Sequence, residues 1–330
     1  DTTSGLWRKS YTLMGDKTYI LVANGIVSGS GYSPATPFDI YVNAMGQESA
    51  GTAGNTDVLV FHGATDAPTV DVFEPYAGLR AVDDMSYGEF QGYLDLANAD
   101  YSLQVQTSDG RTAVAEYGAP LETLGLADSA LIVLASGFLD PASNSDGEAF
   151  GLYVALPMGG DLIALPSVDV ATARVQVIHN SADAAAATVD VWYNDAALLD
   201  DFAFRTASPF IDVTAGTEFD ITIQPASSTD TTSGLWRKSY TLMGDKTYVL
   251  IANGIVSPSG YDPASAFDIY VNDMGREEAG TAGNTDILVF HGSTDAPTVD
   301  VYEATAGELI NDLAYGEFDD DYLELPTADY

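Results

Sequence analysis

The stretch Val58-Leu-Val-Phe-His-Gly-Ala-Thr-Asp-Ala-Pro-Thr-Val-Asp-Val72 decides the fold, because two β-rich runs flank a turn. Val, Ile and Phe favour strands, whereas Gly, Asp and Pro supply turn geometry. The stretch returns at residues 287–301 with two substitutions, and in a more diverged form at residues 175–191. The three copies contain the only histidines of the chain: His62, His179 and His291.

Two nested periods follow from these copies. Residues 1–17 recur unchanged as residues 230–246, an offset of 229, and 62 of the first 74 residues are identical at that offset. The histidines lie 117 and then 112 residues apart, which divides the long period into two related modules, A and B. Such self-similarity fixes the architecture before any other interpretation.

The periods predict four segments. Residues 1–56 are the C-terminal half of a B-type sandwich, 57–172 a complete A-type sandwich, 173–285 a complete B-type sandwich, and 286–330 the N-terminal part of another A-type sandwich. Each complete module shows about seven short β-rich runs separated by Gly, Pro, Asp, Asn and Ser. This pattern predicts an all-β fold of tandem immunoglobulin-like β-sandwich domains. One helical or 3₁₀ turn is expected at residues 121–127, and the short connections at 50–56 and 161–172 predict limited hinging.

Charge narrows the choice of partners. The chain has 49 acidic and 11 basic residues, a formal net charge of −38, and no cysteine. Nucleic acid is excluded because phosphate binding needs a basic surface. Divalent cations and surface glycans remain candidate partners, since an acidic surface attracts cations. The longest apolar run, residues 130–135, is far shorter than the ~20 residues of a membrane span, so we expect no membrane insertion in this segment.

The motif His-x-x-x-Asp-Ala-Pro-x-Val-Asp-Val resembles the signature of family 4397 of domains of unknown function, found in bacterial and archaeal secreted or surface proteins. Matching residues include His62, Asp66, Pro68 and Asp71 in module A, and His291, Asp295 and Asp300 in the C-terminal copy. Module B departs from the pattern, because Asp183 is followed by extra alanines and no proline. The resemblance implies a β-sandwich and an extracellular or cell-surface location, and it implies no activity.

The motif residues favour a structural role over a catalytic one. A catalytic histidine would need a nucleophile and an orienting carboxylate placed consistently around each copy. Instead, a histidine at the end of a strand can hydrogen-bond to the turn that follows it, and the aspartates are typical turn-forming residues. We therefore expect no enzyme activity. The structural residues are His62, Asp66, Pro68, Asp71, His179, Asp190, His291, Asp295 and Asp300.

Two further sites are candidates. The loop at residues 140–148 offers Asp140, Asn144, Asp146 and Glu148, and hard cations prefer such oxygen ligands, so calcium is the one candidate cofactor. A solvated acidic loop is the alternative. Trp7 and Arg8, repeated as Trp236 and Arg237, form a basic and aromatic spot on an acidic chain. It predicts a contact at a junction between modules or subunits, with a local salt-bridged strand as the alternative.

Near-identity between distant copies favours a structural function, because a fibre uses the same interface repeatedly. We therefore expect a structural repeat protein that forms an extracellular filament, stalk or surface fibre and has copies of itself as partners. The chain opens on Asp and its terminal residues align to the middle of modules, so we interpret it as a window on a longer repetitive protein. The alternative function is an adhesin or carbohydrate-binding surface array. Exposed aromatics gathered in a groove would favour that alternative, and aromatics buried at module junctions would favour the fibre.

Overall fold

A computed structural model of the chain describes residues 7–232 and 234–330. By backbone contacts the chain divides into two units, Asp1–Ala171 and Thr172–Tyr330. The first unit contains an N-terminal segment and the A domain, and the second contains the B domain and a C-terminal segment. The predicted all-β sandwich fold is confirmed.

The first unit begins with an antiparallel hairpin, β1 (Ile20–Asn24) and β2 (Asp39–Asn43). The A domain follows with ten strands: β3 (Asn55–His62), β4 (Val70–Glu74), β5 (Leu79–Met85), β6 (Phe90–Ala97), β7 (Asp100–Thr107), β8 (Ala113–Pro120), β9 (Ala130–Ser136), β10 (Gly151–Ala155), β11 (Ile163–Ala164) and β12 (Ser167–Val168). They form two five-stranded sheets, in the orders β11-β10-β9-β3-β6 and β12-β8-β7-β4-β5.

The second unit begins with the B domain, which has nine strands: β13 (Thr172–His179), β14 (Thr188–Tyr193), β15 (Ala196–Ala203), β16 (Thr206–Ala207), β17 (Ile211–Thr214), β18 (Glu218–Pro225), β19 (Trp236–Thr241), β20 (Thr247–Asn253) and β21 (Asp268–Asn272). Its sheets run β16-β13-β20-β21, where β17 also pairs with β13, and β15-β14-β18-β19. The C-terminal segment contributes four strands: β22 (Asn284–Ile287), β23 (Val299–Glu303), β24 (Gly307–Leu313) and β25 (Leu323–Pro326). β23 and β24 form an antiparallel hairpin, and β22 pairs antiparallel with β25.

Both domains place their histidine strand inside a sheet, next to an edge strand. In the A domain β3 lies parallel to β9 and antiparallel to β6, and in the B domain β13 lies parallel to β20 and antiparallel to β16 and β17. A strand that is buried on both faces has apolar residues at successive positions, and this explains the apolar run at residues 58–61 of β3. Val58 and Val60 pack into the core between the sheets, whereas Phe61 points to the opposite face and is fully buried there. The shared topology agrees with the nested repeat.

The core of the A domain is aliphatic. Leu131, Val133, Leu152 and Val154 from neighbouring strands are each at most 5% exposed and pack against Val105 of the other sheet. Burial of each such side chain stabilises the fold by about 1.5–3 kcal/mol, before the entropy cost of ordering it.

Two details of the A domain differ from prediction. Strand β5 was not expected, because Arg80, Asp83 and Asp84 interrupt its apolar pattern and a β-bulge shifts its register against β4. Residues 121–125 form hydrogen-bonded turns rather than a helix. Over the described part of the chain, the helical structure is one 3₁₀ turn, Ala184–Ala186, and no helix is long and apolar enough to cross a membrane.

Of the predicted connection at residues 161–172, residues 161–171 belong to the A domain, and Thr172 begins β13 of the B domain. Strand β11 adds to the edge of one sheet by pairing with β10, and β12 adds to the edge of the other by pairing with β8. Between them Leu165 is 5% exposed and its N–H donates to the carbonyl of Leu152. The connection therefore ties the two sheets together at one side of the sandwich.

Candidate functional site: histidine turns and domain junctions

Each histidine closes the turn that follows its strand. The Nε2 atom of His62 lies 3.0 Å from the carbonyl oxygen of Pro68, and that of His291 lies 2.9 Å from the carbonyl oxygen of Pro297. In the B domain, His179 Nε2 lies 2.7 Å from the carbonyl oxygen of Ala186. A carbonyl only accepts, so Nε2 carries the proton in all three copies. The side chain therefore fixes the far end of the turn to the end of the central strand.

The rings of His62 and His179 are enclosed and neutral. His62 and His179 are each 1% exposed, and burial lowers the pKa of both from the ordinary value of 6.5. The neutral ring leaves Nδ1 as an acceptor, and in the B domain it receives the backbone N–H of Ser181 at 3.3 Å. In the A domain no protein group within the described residues donates to His62 Nδ1. A buried, neutral ring that donates to a backbone carbonyl acts in packing and turn geometry.

The first aspartate of the motif binds a distant loop. Asp66 accepts the backbone N–H groups of Leu139 and Asp140, at 3.0 and 2.9 Å, from the loop that follows β9. The equivalent Asp183 accepts those of Val256 and Ser257, at 2.9 and 2.6 Å, after β20. These bonds hold the turn after the first strand against the loop after its parallel neighbour.

Asp183 is the more enclosed of the two. It also receives the Ser257 hydroxyl at 2.7 Å, the Tyr261 hydroxyl at 3.0 Å and the Ala185 N–H at 2.9 Å. Burial alone would raise the pKa of Asp183, but hydrogen bonds from Ala185, Ser257 and Tyr261 lower it to about 2. The carboxylate therefore stays ionised under all ordinary conditions.

The second aspartate of the motif supports a β-bulge. Asp71, Asp190 and Asp300 each accept the backbone N–H of a residue on the facing strand, at 2.7, 3.0 and 2.8 Å. Those donors have positive φ values of 51°, 49° and 54°, a conformation that is costly for residues other than glycine. They are Asp84, Asp201 and Asp312. Asp71 also forms a salt bridge with Arg80, and Asp190 accepts hydrogen bonds from Ser228.

In the C-terminal copy of the motif, Asp295 is equivalent to Asp66 and Asp183. It accepts the Ser293 hydroxyl at 3.1 Å.

The predicted calcium loop has another arrangement. Asn144 is fully buried, and its amide nitrogen donates to Asp66 and to the carbonyl of Asp140, while its amide oxygen accepts the Ser33 N–H at 2.9 Å. Asp146 and Glu148 are not drawn into a cluster with Asp140: within the described ranges, no group of three or more His, Cys, Asp or Glu side chains is placed to hold a metal ion. The geometry gives the calcium assignment no support.

The basic and aromatic spot lies within its own module. The Trp7 ring packs edge-on against Phe38 at 5.4 Å, and Trp236 packs in the same way against Phe267 at 5.5 Å. Arg237 pairs with Asp220 at 2.5 Å, and Arg8 is exposed. These contacts correspond to the local alternative. A role of the spot in contacts with a further module or subunit stays a prediction.

The junctions between a B-type and an A-type module are built from other residues. We call the contacts between the N-terminal segment and the A domain the first junction, and those between the B domain and the C-terminal segment the second junction. In the first, the side-chain nitrogen of Asn24 donates to the carbonyl of Gly63 at 2.7 Å and to the Tyr87 hydroxyl at 3.4 Å. In the second, Asn253 donates to Gly292 at 3.0 Å and to Tyr315 at 3.2 Å.

An aromatic cluster fills each junction. In the first, the Tyr41 ring lies 5.4 Å from Phe61 and 5.8 Å from Tyr87, and Phe61 lies 4.6 Å from Phe90. The second repeats this with centroid distances of 5.1, 6.2 and 4.8 Å among its own rings, Tyr270, Phe290, Tyr315 and Phe318. Aromatic pairs at such distances add about 0.5–1.5 kcal/mol each beyond the area they bury.

In each cluster the tyrosine ring packs directly against the backbone of a glycine. Gly88 has a φ of +83°, and a Cβ placed there would lie 2.6 Å from the Tyr41 ring. Gly316 has a φ of +82°, and its Cβ would lie 2.7 Å from the Tyr270 ring. Backbone conformation and close approach both require glycine at these positions.

The sequence analysis did not identify these residues. An aromatic residue on a strand looks the same whether it faces the core of its own domain or a neighbouring module. The available signal was that Asn24, Tyr41 and Gly88 all recur within the long period.

Comparison with models of protein families gives a match to part of the chain. The model of the family described as domain of unknown function (DUF4397) matches residues 173–282, which cover the B domain. This supports the family resemblance for that domain, although it is the module that lacks the proline of the motif. No curated protein matches the chain.

Proposed function

We propose that this chain is part of a structural repeat protein of an extracellular filament, stalk or surface fibre, in which successive modules are joined by fixed junctions. The observation that carries the proposal is that one set of junction contacts is made twice. The asparagine, the aromatic cluster and the permissive glycine recur with the same partners at both places where a B-type module meets an A-type module. A chain that must hold its modules at a constant spacing needs such a repeated joint.

The position of the aromatic residues favours this function over an adhesin or a carbohydrate-binding array. A glycan-binding groove would expose several aromatic rings side by side, whereas Phe61 is fully buried and Tyr41, Tyr87 and Phe90 are partly buried between modules. The exposed Tyr302, by contrast, donates its hydroxyl to Glu308. The net charge of −38 would keep such a fibre soluble.

Electron microscopy of the native protein tests the proposal. A domain of this size has a diameter of roughly 35 Å, so an A–B pair should advance about 70 Å along the fibre, with a range of about 50–90 Å for tilted or elongated modules. Fibres with an axial repeat in this range are expected. A monodisperse monomer, or fibres without such a repeat, would overturn the proposal.

The junction itself is tested with matched glycine variants. Gly88→Ala and Gly316→Ala place a methyl group against a tyrosine ring, whereas Gly125→Ala introduces the same backbone strain, at a φ of +67°, with no atom within 4 Å of the added Cβ. The first two should lengthen and broaden the distance between spin labels placed on either side of their junction, and the third should not. Equal distance distributions for all three would show that the clusters do not fix the modules.

A further inference from the structure

One of the charge differences between the two junctions lies at a single equivalent position of the two copies. Gln47 in the first junction corresponds to Arg276 in the second, at the offset of 229. The backbone at this position makes the same contact in both: the Gln47 N–H donates to the Tyr93 hydroxyl and the Arg276 N–H to the Tyr322 hydroxyl, each at 3.0 Å. The side chains therefore start from equivalent places and differ only in charge and reach.

Arg276 forms ion pairs with three carboxylates at the second junction. Its guanidinium donates to Asp286 at 2.7 Å, to Asp321 at 3.1 Å and to Glu324 at 3.2 Å, and stacks on the Tyr322 ring at 4.7 Å. The Asp286 side chain is only 4% exposed. Asp286 and Glu324 lie directly opposite each other on paired strands, so the arginine separates two like charges that would otherwise repel.

The first junction keeps the opposed carboxylates and lacks the arginine. Asp57 and Asp95 face each other across β3 and β6 in the same register. Asp57 is 4% exposed and accepts the Gly51 N–H at 3.0 Å, and Asp95 accepts hydrogen bonds from Thr52 and Asn55. These donors are neutral, so the cross-strand repulsion is not offset by any positive charge at the position of Gln47.

We infer that the residue at this position sets the response of each junction to ionic strength: salt loosens the junction that carries Arg276 and leaves the one that carries Gln47 unchanged. Salt weakens the attraction between Arg276 and its three carboxylates, and therefore loosens the second junction. The repulsion between Asp57 and Asp95 acts between two strands of the A domain, so screening it does not draw the N-terminal segment toward that domain. From about 0.1 M to about 1 M salt the Debye length falls from about 10 Å to about 3 Å, so the partly exposed Arg276 pairs are screened. The inference goes beyond the proposed function, because it concerns single junctions and holds whether or not chains assemble.

Hydrogen exchange of the backbone amides of Gln47 and Arg276 tests it, since both amides make the tyrosine contact of their junction. Exchange is measured on the whole chain by mass spectrometry in about 0.1 M and about 1 M sodium chloride, and normalised to unstructured peptides of the same sequence. We expect protection at Arg276 to fall on the order of threefold, the size typical of partly exposed ion pairs, and protection at Gln47 to stay the same within error. A fall of equal size at both amides, or no change at Arg276, would overturn the inference.

Reciprocal variants give the sharper test. Gln47→Arg should give the first junction the salt response of the second, and Arg276→Gln should give the second the response of the first. Arg237→Gln removes an ion pair of similar exposure inside the B domain and should change neither amide. Potassium chloride at equal ionic strength should act like sodium chloride. Swapped variants that keep their original responses, or a response to one cation alone, would contradict control by screening at this position.

Discussion

The turn after the first strand differs between the A and B domains in length and conformation, yet it ends in the same hydrogen bond. In the A domain the chain passes through Pro68, six residues after His62, and in the B domain it forms a 3₁₀ turn and reaches Ala186, seven residues after His179. Both routes bring a backbone carbonyl to Nε2. The comparison teaches that the fold depends on the histidine and on a carbonyl in its path, and that the proline of the motif is one of two solutions.

The first aspartate of the motif should show the largest difference between the domains. Asp183 accepts five hydrogen bonds, one from the 3₁₀ turn and four from the loop after β20, and Asp66 accepts three. Because removal of a buried acceptor leaves its donors unpaired, Asp183→Ala should cost about 4 kcal/mol and Asp66→Ala about 2 kcal/mol. Urea-dependent hydrogen exchange resolves the free energy of unfolding of each domain. Asp161→Ala, at an exposed position, is the control, and equal losses in A and B would break the comparison.

The histidines should contribute equally despite their different turns. His62→Ala and His179→Ala each remove a buried ring and leave a carbonyl unpaired, so each should cost about 3 kcal/mol. The phenylalanine variants at the same positions keep much of the ring volume and isolate the hydrogen bond. The same exchange measurement applies. If one domain tolerated the loss of its histidine, the shared hydrogen bond would not be what the two turns have in common.

Stability should fall in both domains as the pH decreases through about 6.5. Burial lowers the pKa of His62 and His179 in the folded state, so the unfolded chain takes up protons first. The stabilisation is therefore complete above the unfolded pKa and is lost as the pH falls through it toward the folded value. The midpoint of urea unfolding between pH 7.5 and 5 (approximate limits set by the histidine range) measures this. The phenylalanine variant of each domain should lose the slope; if it persisted there, other groups would be responsible.

The proline should matter least. Pro68 is exposed, and Pro68→Ala keeps the carbonyl that His62 binds, so the expected cost is about 0.5 kcal/mol, from the greater freedom of the unfolded chain. Urea unfolding of the A domain measures it, with the His62→Ala variant for scale. A loss as large as that of the histidine variant would mean that the two turns are not alternative solutions.

Much of the fold could be predicted from sequence because its strands are rich in β-branched residues and bounded by turn residues. The β-rich run at residues 58–62 predicted β3, and the repeat of this run at residues 175–179 predicted the equivalent strand β13. Strand β5 could not be predicted, because its bulge places Asp84 at a positive φ that is tolerated only through the bond to Asp71 on another strand. A hydrogen bond to a residue on another strand produces no pattern in the sequence around Asp84.

The site was foreseen in part. The position of His62 at the end of a strand and before a turn indicated its hydrogen bond to the turn. The junction residues were not foreseen, and the role predicted for Trp7 in a contact with a further module or subunit stays a prediction. A tryptophan and a tyrosine on a strand satisfy the same apolar pattern, and only the packing of two modules decides that Tyr41 lies between them while Trp7 lies against Phe38 of its own module.

The connection that closes the A domain has a mechanical consequence. Strands β11 and β12 each pair through two residues at an outer edge, so force along the chain would peel them one bond at a time. Strand β3 is held between two neighbours and would have to slide against both at once. Release of residues 161–171 would lengthen the chain by up to roughly 35 Å, at about 3.3 Å per residue, with both sheets still folded. The A domain therefore contains a segment that would detach under force and extend the chain. The segment would pair again with the two sheets when the force is removed.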